Sequence, residues 1–318
     1  MHYSQLFEYL RTTLASSSSR GDERSMHGQV KRLNAVTGLY WIVGTWKLVE
    51  SLDRTPPDSV EMHAKFACIF KKLLESTKLF PKEDGGLLRC FSAVQLSVML
   101  SLGHAEISRI SSATLDMLGE IFTVKKFPFW FDMRSMYCLV GILKLTNQLD
   151  TIGAEQRLWL RDWIYESQAI LGGFGANPKA EAHGGYTFCA VSSLRILGYE
   201  VPRQDRLLAW CKCRLTPRFN GRPGKPSDSC YIWWICATLK NIEKIKICEK
   251  EKIQKILWEN FFVHNGGGFS KYPSIPIPGD DQSVHGQQDA DLFHTFLGIT
   301  SIALFQNKID SLCVLPLN

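Results

Sequence analysis

The fold is decided by a stretch that reads RFNGRPGKPSDSCYIWWICATLKNI, residues 218–242. A loop rich in glycine and proline leads there into an apolar segment of helical length. The same order occurs twice more, as GGFGANPKAEAHGGYTFCAVSSLRILG at 172–198 and as GGGFSKYP at 266–273, which continues to DADLFHTFLGITSIALF at 289–305. Repeats of this size predict helical hairpins that stack, so that each buries the apolar face of its neighbour.

The three copies share a spacing. They open on phenylalanines about 45 to 50 residues apart, namely Phe174, Phe219 and Phe269. His183 and Asp228 both lie nine residues beyond their phenylalanine, and Tyr186 and Tyr231 both lie twelve beyond. Polar side chains are therefore expected at equivalent junctions between loop and helix.

Apolar and polar helical patterns alternate along the chain. The segment 38–52 is apolar on most faces, which is typical of a buried helix. The polar segments 155–170, 202–213 and 243–260 are its natural outer counterparts, and strand signals are scarce. We predict a single all-α domain over residues 1–318, an α/α barrel of helical hairpins, because closing the repeats into a ring leaves no apolar end exposed. Inner-helix starts would then meet around one mouth.

Composition limits the function classes. The chain has 318 residues with a formal net charge of +6, and no basic block is long enough to predict a nucleic-acid partner. The longest apolar run is far shorter than the roughly 20 residues of a membrane span. The ten cysteines form no CxxC pair, and the opening residues lack the pattern of a signal peptide. We expect reduced thiols, a cytoplasmic location, a mobile polar tract at about 15–26 and a loop insertion at about 274–290.

A metal site is the first candidate chemistry. Asp228 and Cys230 stand two residues apart at a helix start, and His294 lies at the matching start of the next repeat. An Asp/Cys/His set leaves one position of tetrahedral zinc open, which is typical of a catalytic site. The alternative is that Asp228 caps a helix and Cys230 belongs to the core.

Anion and lipid binding are the second candidate chemistry. Arg222 and Lys225 could stabilise a diphosphate, with hydrogen bonds from His183 and Tyr231. Alternatively, this stretch is a solvated turn. Aromatic residues either form a core or line an apolar slot for a lipid tail: Trp41, Phe129, Trp130, Tyr137, Phe188, Trp233 and Trp234.

The motifs EAHGGYTFC, NGRPGKPSDSCYIWW and DLFHTFLGI resemble the signature loops of protein prenyltransferase β subunits, over about residues 129–306. That resemblance implies an α/α barrel, a helical α subunit as partner and a zinc ion held by Asp228, Cys230 and His294. It assigns a larger set to the isoprenoid diphosphate: His183, Gly184, Gly185, Arg222, Pro223, Gly224, Lys225 and Tyr231. The isoprenoid and peptide pocket would be lined by Arg134, Tyr137, Trp234, Thr37 and Trp41.

The class within the family depends on few positions. In GGFSKYP, Lys271 stands where the farnesyl and Rab enzymes have an aspartate associated with magnesium, and the type I geranylgeranyl enzyme resembles this chain in having a lysine. Mg2+ would then not be required, because an ammonium group can neutralise the leaving diphosphate. Thr37 falls where the farnesyl enzyme has a bulky tryptophan, so a longer lipid would fit.

The resemblance thus implies transfer of a geranylgeranyl group from its diphosphate to the C-terminal cysteine of CaaX-type proteins such as small GTPases. The Rab and farnesyl enzymes remain alternatives, because other stretches resemble them. The first half lacks the GGF loops of the later repeats, which leaves open a catalytically silent scaffold. A terpene cyclase-like barrel is disfavoured because the chain has neither DDxxD nor DxDD.

Overall fold

The computed structural model describes residues 2–16, 35–52, 56–76, 79, 81–82, 85–215, 219–275, 277 and 288–317. Within these ranges the α-helices are α1 His2–Ser16, α2 Ala35–Leu52, α3 Ser59–Ser76, α4 Gly86–Leu100, α5 His104–Val124, α6 Met133–Leu145, α7 Ala154–Glu166, α8 Gly184–Leu197, α9 Gln204–Lys212, α10 Cys230–Asn241, α11 Lys250–Ile256 and α12 Leu292–Phe305. Single turns of other helix types cover Leu149–Thr151, Ile245–Ile247 and Leu257–Phe261. The all-α prediction is confirmed.

The strands that the structure describes form two short antiparallel ribbons. They are β1 Phe262–Val263 with β2 Gly268–Phe269, and β3 Ile309–Asp310 with β4 Leu315–Pro316. Each has two residue pairs, so the ribbons fix loop geometry and contribute no sheet core. No helix in the described part of the chain is long and apolar enough to cross a membrane.

The chain divides into two compact units, one formed by Met1–Ser59 with Cys211–Asn318 and the other by Val60–Trp210. In the first unit α12 packs against both α2 and α10. Helix α2 is buried on nearly all faces, as its sequence predicts. Its close contact with α12 depends on Gly44, where a Cβ atom would lie 2.8 Å from the Phe296 ring.

The second unit follows the same plan. Helix α6 packs between α4 and α8, and the Phe91 ring lies so close to Gly141 that a Cβ atom there would be 2.6 Å from it. Helix α7 packs against α8 and buries only Leu160 and Ile164, as expected for an outer helix. In both units apolar helices carry the core, and in the second unit the more polar α7 covers them.

The repeat has a structural basis in the backbone of its opening phenylalanine. The carbonyl oxygen of Phe174 accepts the N–H of His183 at 2.9 Å, and that of Phe219 accepts the N–H of Asp228 at 3.2 Å. In the third copy the carbonyl oxygen of Phe269 accepts the N–H of Asp291 at 3.2 Å. His183, Asp228 and Asp291 therefore occupy equivalent positions in the three copies of the repeat.

His294 lies in the first turn of α12. The hydrogen bonds place Asp291, three residues earlier, at the position equivalent to Asp228. The loop of the third copy is longer than that of the first. The N–H of the opening phenylalanine donates to a threonine hydroxyl 13 residues ahead in the first copy (Thr187) and 26 ahead in the third (Thr295), a difference of 13 residues.

Three predictions about organisation stay predictions. The polar tract at 15–26 lies almost entirely outside the described residues. Most of the expected insertion at 274–290 also lies outside them, although the longer third loop is consistent with it. The single domain over residues 1–318 also stays a prediction.

Candidate metal centre

Three segments of the first unit meet where α10 and α12 begin. The N–H of Ser229 donates to the carbonyl oxygen of Lys271 at 3.0 Å, and its hydroxyl donates to that of Ser270 at 2.7 Å. The next residue back, Phe269, accepts the N–H of Asp291. The segment 269–271 therefore connects the starts of the two helices through backbone hydrogen bonds.

Asp228, Cys230 and His294 come together at this junction. Their ligand atoms all lie within 4.8 Å of one another, and all three residues are buried. The Nε2 atom of His294 is 3.2 Å from Oδ1 of Asp228. Zinc ligands stand about 2.0–2.3 Å from the ion, which in a tetrahedron separates them by roughly 3–4 Å. The site offers one sulfur, one nitrogen and one carboxylate oxygen, which are donor atoms that zinc binds. Small shifts of these atoms would bring them to the distances of a tetrahedral site.

The Asp228 carboxylate has two contacts. Its Oδ1 atom accepts the N–H of Cys230, the first residue of α10, at 3.0 Å. The same oxygen faces the His294 imidazole. The position directly before the helix is Ser229, whose side chain forms no capping hydrogen bond. The Asp228 carboxylate thus holds the first N–H of α10 and is also directed at the candidate site.

Asp291 holds His294 from the other side. It caps α12 by accepting the backbone N–H of His294 at 2.9 Å, and its Oδ2 atom is 2.6 Å from Nδ1 of the imidazole ring. A carboxylate on Nδ1 favours the tautomer with the proton on that atom, which leaves Nε2 available as a ligand. Sequence reasoning missed Asp291, although the DxxH spacing at a helix start was a usable signal.

Without a metal ion, the pKa values in the centre favour a protonated Cys230 thiol and a protonated His294 imidazole. Burial raises the pKa of the Cys230 thiol well above its usual range, and the nearby Asp228 raises it further. Burial lowers the pKa of His294, but hydrogen bonds with Asp228 and Asp291 outweigh this and raise it to about 9. Burial raises the pKa of Asp228, whereas the hydrogen bond and charge of His294 lower it, with a net decrease. A cation bound here must displace the protons of the thiol and the imidazole.

A basic loop precedes the centre. Pro223, Gly224 and Lys225 are exposed, and Arg222 is half-buried. A Cβ atom at Gly221 would overlap the Tyr231 ring, so glycine is what allows that ring to lie against the loop.

Polar contacts of Asn220 fix the shape of this loop. The side-chain amide of Asn220 donates to the carbonyl oxygen of Lys225 at 2.9 Å, and its oxygen accepts from the buried Arg214 at 3.0 Å. These contacts fix the loop, and the side chain of Lys225 is exposed.

Lys271 adds a further positive charge beside the centre. Its side chain is exposed, and its Nζ atom lies 4.8 Å from the centroid of the Tyr272 ring. A hydrogen bond with Tyr272 raises its pKa, and the charges of Asp228 and Cys230 also contribute. Lys271 is therefore protonated at neutral pH.

Among the lipid-pocket candidates of the first unit, Trp41 approaches His294 through Phe293. Thr37 and Trp41 are buried on α2, and the Trp41 ring is 5.3 Å from the Phe293 ring. Phe293 in turn contacts His294 at 5.0 Å between ring centroids. Trp234 is half-buried, and its hydrogen bond to Cys230 lowers the pKa of that thiol.

The second unit holds the remaining predicted site residues. His183 caps α8, and its Nδ1 atom accepts the N–H of Gly185 at 3.2 Å, with Gly184 between them. Tyr186 lies beside His183, with 5.2 Å between ring centroids, and its ring is 5.7 Å from the Arg134 guanidinium. Arg134 is also paired with Asp132 at 2.6 Å.

The aromatic residues divide between core and surface. Tyr137 is buried between Phe91 and Phe188, with ring centroids 5.3 and 5.4 Å away, so it is part of the core of the second unit. Trp233 is fully buried in the first unit. Phe129 is fully exposed.

Comparison with known proteins defines the class. Residues 8–316 match the family described as the prenyltransferase alpha-alpha toroid domain. The chain belongs to this family, and its fold is the α/α toroid that the sequence predicted.

Two relatives and one solved structure are similar to the chain. The beta subunit of geranylgeranyl transferase type 1 from Arabidopsis thaliana is 27% identical over a 333-residue alignment that covers 90% of this chain and 82% of that protein. The type 2 beta subunit from Saccharomyces cerevisiae is 25% identical over a 248-residue alignment that covers 71% of this chain and 67% of that protein. The solved structure of Candida albicans protein geranylgeranyltransferase-I complexed with GGPP has the same fold, with a TM-score of 0.72 at 16% identity, over 99% of this chain and 95% of that one. The chain is a protein prenyltransferase β subunit, an enzyme subunit most like type I.

Proposed function

We propose that this chain is the zinc-dependent β subunit of a type I geranylgeranyltransferase. It acts with an α subunit in the cytoplasm and transfers a geranylgeranyl group from its diphosphate to the cysteine of CaaX-ended small GTPase-type proteins. The observation that carries the proposal is the buried set Asp228, Cys230 and His294, whose ligand atoms lie within 4.8 Å of one another.

These three residues would hold the zinc ion and leave one of four positions for the substrate thiol. Bound there, zinc would lower the pKa of that thiol and supply a thiolate at neutral pH. The chain itself keeps the site in shape. Asp291 fixes the imidazole of His294, and the backbone hydrogen bond to Cys230 fixes Asp228. Because all three ligands are buried, water is largely excluded from their side of the site.

In the transfer step, a sulfur–carbon bond forms as the bond between the isoprenoid carbon and the diphosphate oxygen breaks. The diphosphate leaves with the electron pair, and the thiol proton goes to solvent. Arg222, Lys225 and Lys271 stabilise the growing negative charge, and His183 and Tyr231 donate hydrogen bonds to it. Support comes from the rigid loop that presents Arg222 and Lys225, and from the charge of Lys271.

Lys271 also bears on whether the reaction requires magnesium. Its ammonium group lies near enough to Asp228 and Cys230 for their charges to raise its pKa. A positive charge at this point can neutralise the leaving diphosphate, so we propose that magnesium is not required.

We infer the length of the preferred isoprenoid from residues on α2. Thr37 and Trp41 are buried on that helix, and Trp41 approaches Phe293 beside His294. We propose that a side chain as small as threonine at position 37 would leave room for a fourth isoprene unit, so that geranylgeranyl is favoured over farnesyl.

The test uses the full chain with a candidate α subunit and a peptide that ends in a CaaX sequence with a final leucine. Geranylgeranyl and farnesyl diphosphates are offered together, and the products are measured by mass spectrometry. We expect the geranylgeranyl adduct on the cysteine to dominate. A farnesyl adduct alone would move the chain to the farnesyl class. No adduct, together with no stoichiometric zinc, would identify it as a scaffold.

A further inference from the structure

Two cysteines outside the candidate metal centre face each other in the first unit. Cys236 lies in the middle of α10, and Cys248 follows the turn Ile245–Ile247 that leads from α10 to α11. Their Sγ atoms are 3.7 Å apart, and neither residue is in a disulfide. This distance is that of a weak hydrogen bond between two thiols, so the two sulfur atoms are in direct contact.

The two thiols differ in how a reagent in solution can reach them. Cys236 is fully buried, on a helix most of whose residues are buried. Cys248 is 7% exposed, and Lys246 and Glu249 on either side of it are exposed. A single turn at the surface opens at a lower free-energy cost than a helix of the core. Cys248 is therefore the thiol that a small reagent reaches first.

The environment of Cys236 suits it to a second step. Its hydrogen bond with Cys248 and its burial raise the pKa of the Cys236 thiol well above the usual range. Because the thiolate is the nucleophile, such a thiol reacts slowly with an oxidant in solution. Its contact with the Cys248 sulfur offsets this within the folded chain, since two groups held together react far faster than two that must meet by diffusion.

We propose that Cys236 and Cys248 form a redox-active dithiol whose oxidant is a peroxide. The Cys248 thiolate attacks one oxygen of H2O2 and the O–O bond breaks, which gives a sulfenic acid on Cys248 and, after protonation, one water molecule. The Cys236 thiol then attacks the Cys248 sulfur. An S–S bond forms, and the sulfenic oxygen leaves as a second water molecule. The two sulfur atoms lose the two electrons that the peroxide gains, and a dithiol reductant reverses the change by thiol–disulfide exchange.

The disulfide requires a small movement, which the structure allows on one side. The sulfur atoms must approach from 3.7 Å to about 2.05 Å. Helix α10 is buried and packs against α12, whereas the turn before Cys248 lies at the surface. We expect the turn to supply most of the movement, so that α10 and its first residue Cys230 keep their positions. The disulfide thus links the outer turn to α10, and the inference does not depend on the zinc site.

The experiment treats the full reduced chain with hydrogen peroxide, alkylates the remaining thiols and sequences the linked peptides by tandem mass spectrometry. We expect a disulfide between Cys236 and Cys248 that a dithiol reductant removes. The exposed Cys68 and Cys213 are the internal control, because their oxidation shows that the peroxide has acted. No lysine or arginine separates Cys230 from Cys236, so trypsin leaves both on one peptide and the variants below are needed to assign the link.

Two single substitutions separate the roles of the sulfur atoms. Cys236→Ser removes the thiol of the second step, so dimedone should trap the sulfenic acid on Cys248. Cys248→Ser should give neither a disulfide nor a dimedone adduct at Cys236, because Cys236 is buried. Cys211→Ser is the matched control. Cys211 is likewise fully buried in the first unit, and its loss should leave the disulfide unchanged.

A melting curve measures the consequence for the fold. The disulfide joins residues that are 12 apart in the chain, which removes conformational freedom from the unfolded state. Oxidation should therefore raise the Tm of the parent chain by about 3–6 °C, and the reductant should abolish the rise. Cys211→Ser should show the same rise, whereas Cys236→Ser and Cys248→Ser should not. The Tm of each reduced variant reports whether it has folded.

Three results would overturn the inference. If Cys68 and Cys213 are oxidised while Cys236 and Cys248 are recovered as free thiols, the pair is not redox-active. A disulfide from Cys248 to Cys211 or Cys213 would show that the assigned partner is wrong. A dimedone adduct on Cys236 in the Cys248→Ser variant would show that Cys236 reacts with the peroxide directly, against the order of steps proposed.

Discussion

Helices α8 and α12 both begin on a loop whose buried phenylalanine accepts the backbone N–H of the capping residue through its carbonyl oxygen. In α8 that residue is His183, and the first turn continues with Gly184 and Gly185. In α12 it is Asp291, and the candidate ligand His294 follows in the first turn. The two helix starts share this backbone hydrogen bond. Their capping side chains differ, with an imidazole at α8 and a carboxylate at α12.

The difference follows from the electrostatics of helix starts. The N-terminus of a helix carries partial positive charge and unsatisfied N–H groups, which favour an anion. At α8 the Nδ1 atom of His183 accepts the N–H of Gly185, and we propose that the positive potential of this helix start binds the diphosphate. A cation near a helix start needs added negative charge, which Asp228 supplies beside α10 and Asp291 at α12. On this proposal, the same repeat presents an anion site or a cation site according to the side chains at the start of its helix.

The largest effect is expected from removing a ligand of the cation site. Cys230→Ser or His294→Ala should lower zinc affinity by on the order of a hundredfold or more, because each supplies one of only three protein ligands. Turnover should fall to background, while the lipid diphosphate still binds. Zinc content of the purified protein and a fluorescent diphosphate analogue measure the two functions separately.

Cys236→Ser is the matched control, since Cys236 is a buried cysteine on the same helix α10, 3.7 Å from Cys248 and outside the ligand set. It should keep its zinc and its activity. Full activity in Cys230→Ser would contradict the zinc site itself.

A second substitution tests the charge beside the cation site. Lys271→Asp should reduce activity by about a hundredfold without magnesium, because a positive charge facing the leaving diphosphate is lost. Added magnesium should restore part of that activity, since the new carboxylate can recruit the ion. Lys252→Asp, on the outer helix α11, controls for the change in net charge. Rates that do not respond to magnesium would count against the role of Lys271.

The two helix starts also show what the sequence could predict. The nine-residue spacing from phenylalanine to His183 or Asp228 is local, and it marked equivalent positions correctly. The all-α fold followed from the alternation of apolar and polar helices. The position of Asp291 could not be found in this way, because the third loop has thirteen more residues between phenylalanine and helix. Loop length hides which residue closes the hydrogen bond, and the fold shows that it is Asp291.

Contacts between distant segments were beyond the sequence for a related reason. The side chain of Gln5 on α1 donates a hydrogen bond of 3.2 Å to the carbonyl oxygen of His264, which lies 259 residues further along the chain. No local pattern encodes such a pair, since it depends on how the helices pack. The close approach at Gly267, with its φ of 72°, is likewise understandable only once Gln5 is seen beside it.

The pH dependence of zinc binding tests the same charges with a smaller effect. In the metal-free protein, Asp228 and Asp291 raise the pKa of His294 to about 9. Below that pH zinc must displace a proton from the imidazole, so affinity should rise by about tenfold per pH unit as pH increases toward 9. The buried Cys230 thiol adds a second proton and steepens the slope. Chelator competition between pH 6 and 9 measures it, and a flat profile would contradict the assigned protonation.

The smallest effect concerns the basic loop. Gly221→Ala places a methyl group where the Tyr231 ring lies, so either the ring or the loop must move. Such overpacking should lower the free energy of unfolding by about 1–3 kcal/mol and weaken diphosphate binding, because Arg222 shifts with the loop. Gly119→Ala is the matched control. No atom lies within 4 Å of its new methyl group, and alanine in a helix should stabilise the chain by about 0.5–1 kcal/mol. Chemical denaturation measures both, and equal stability of the two variants would show that the loop is not held by Tyr231.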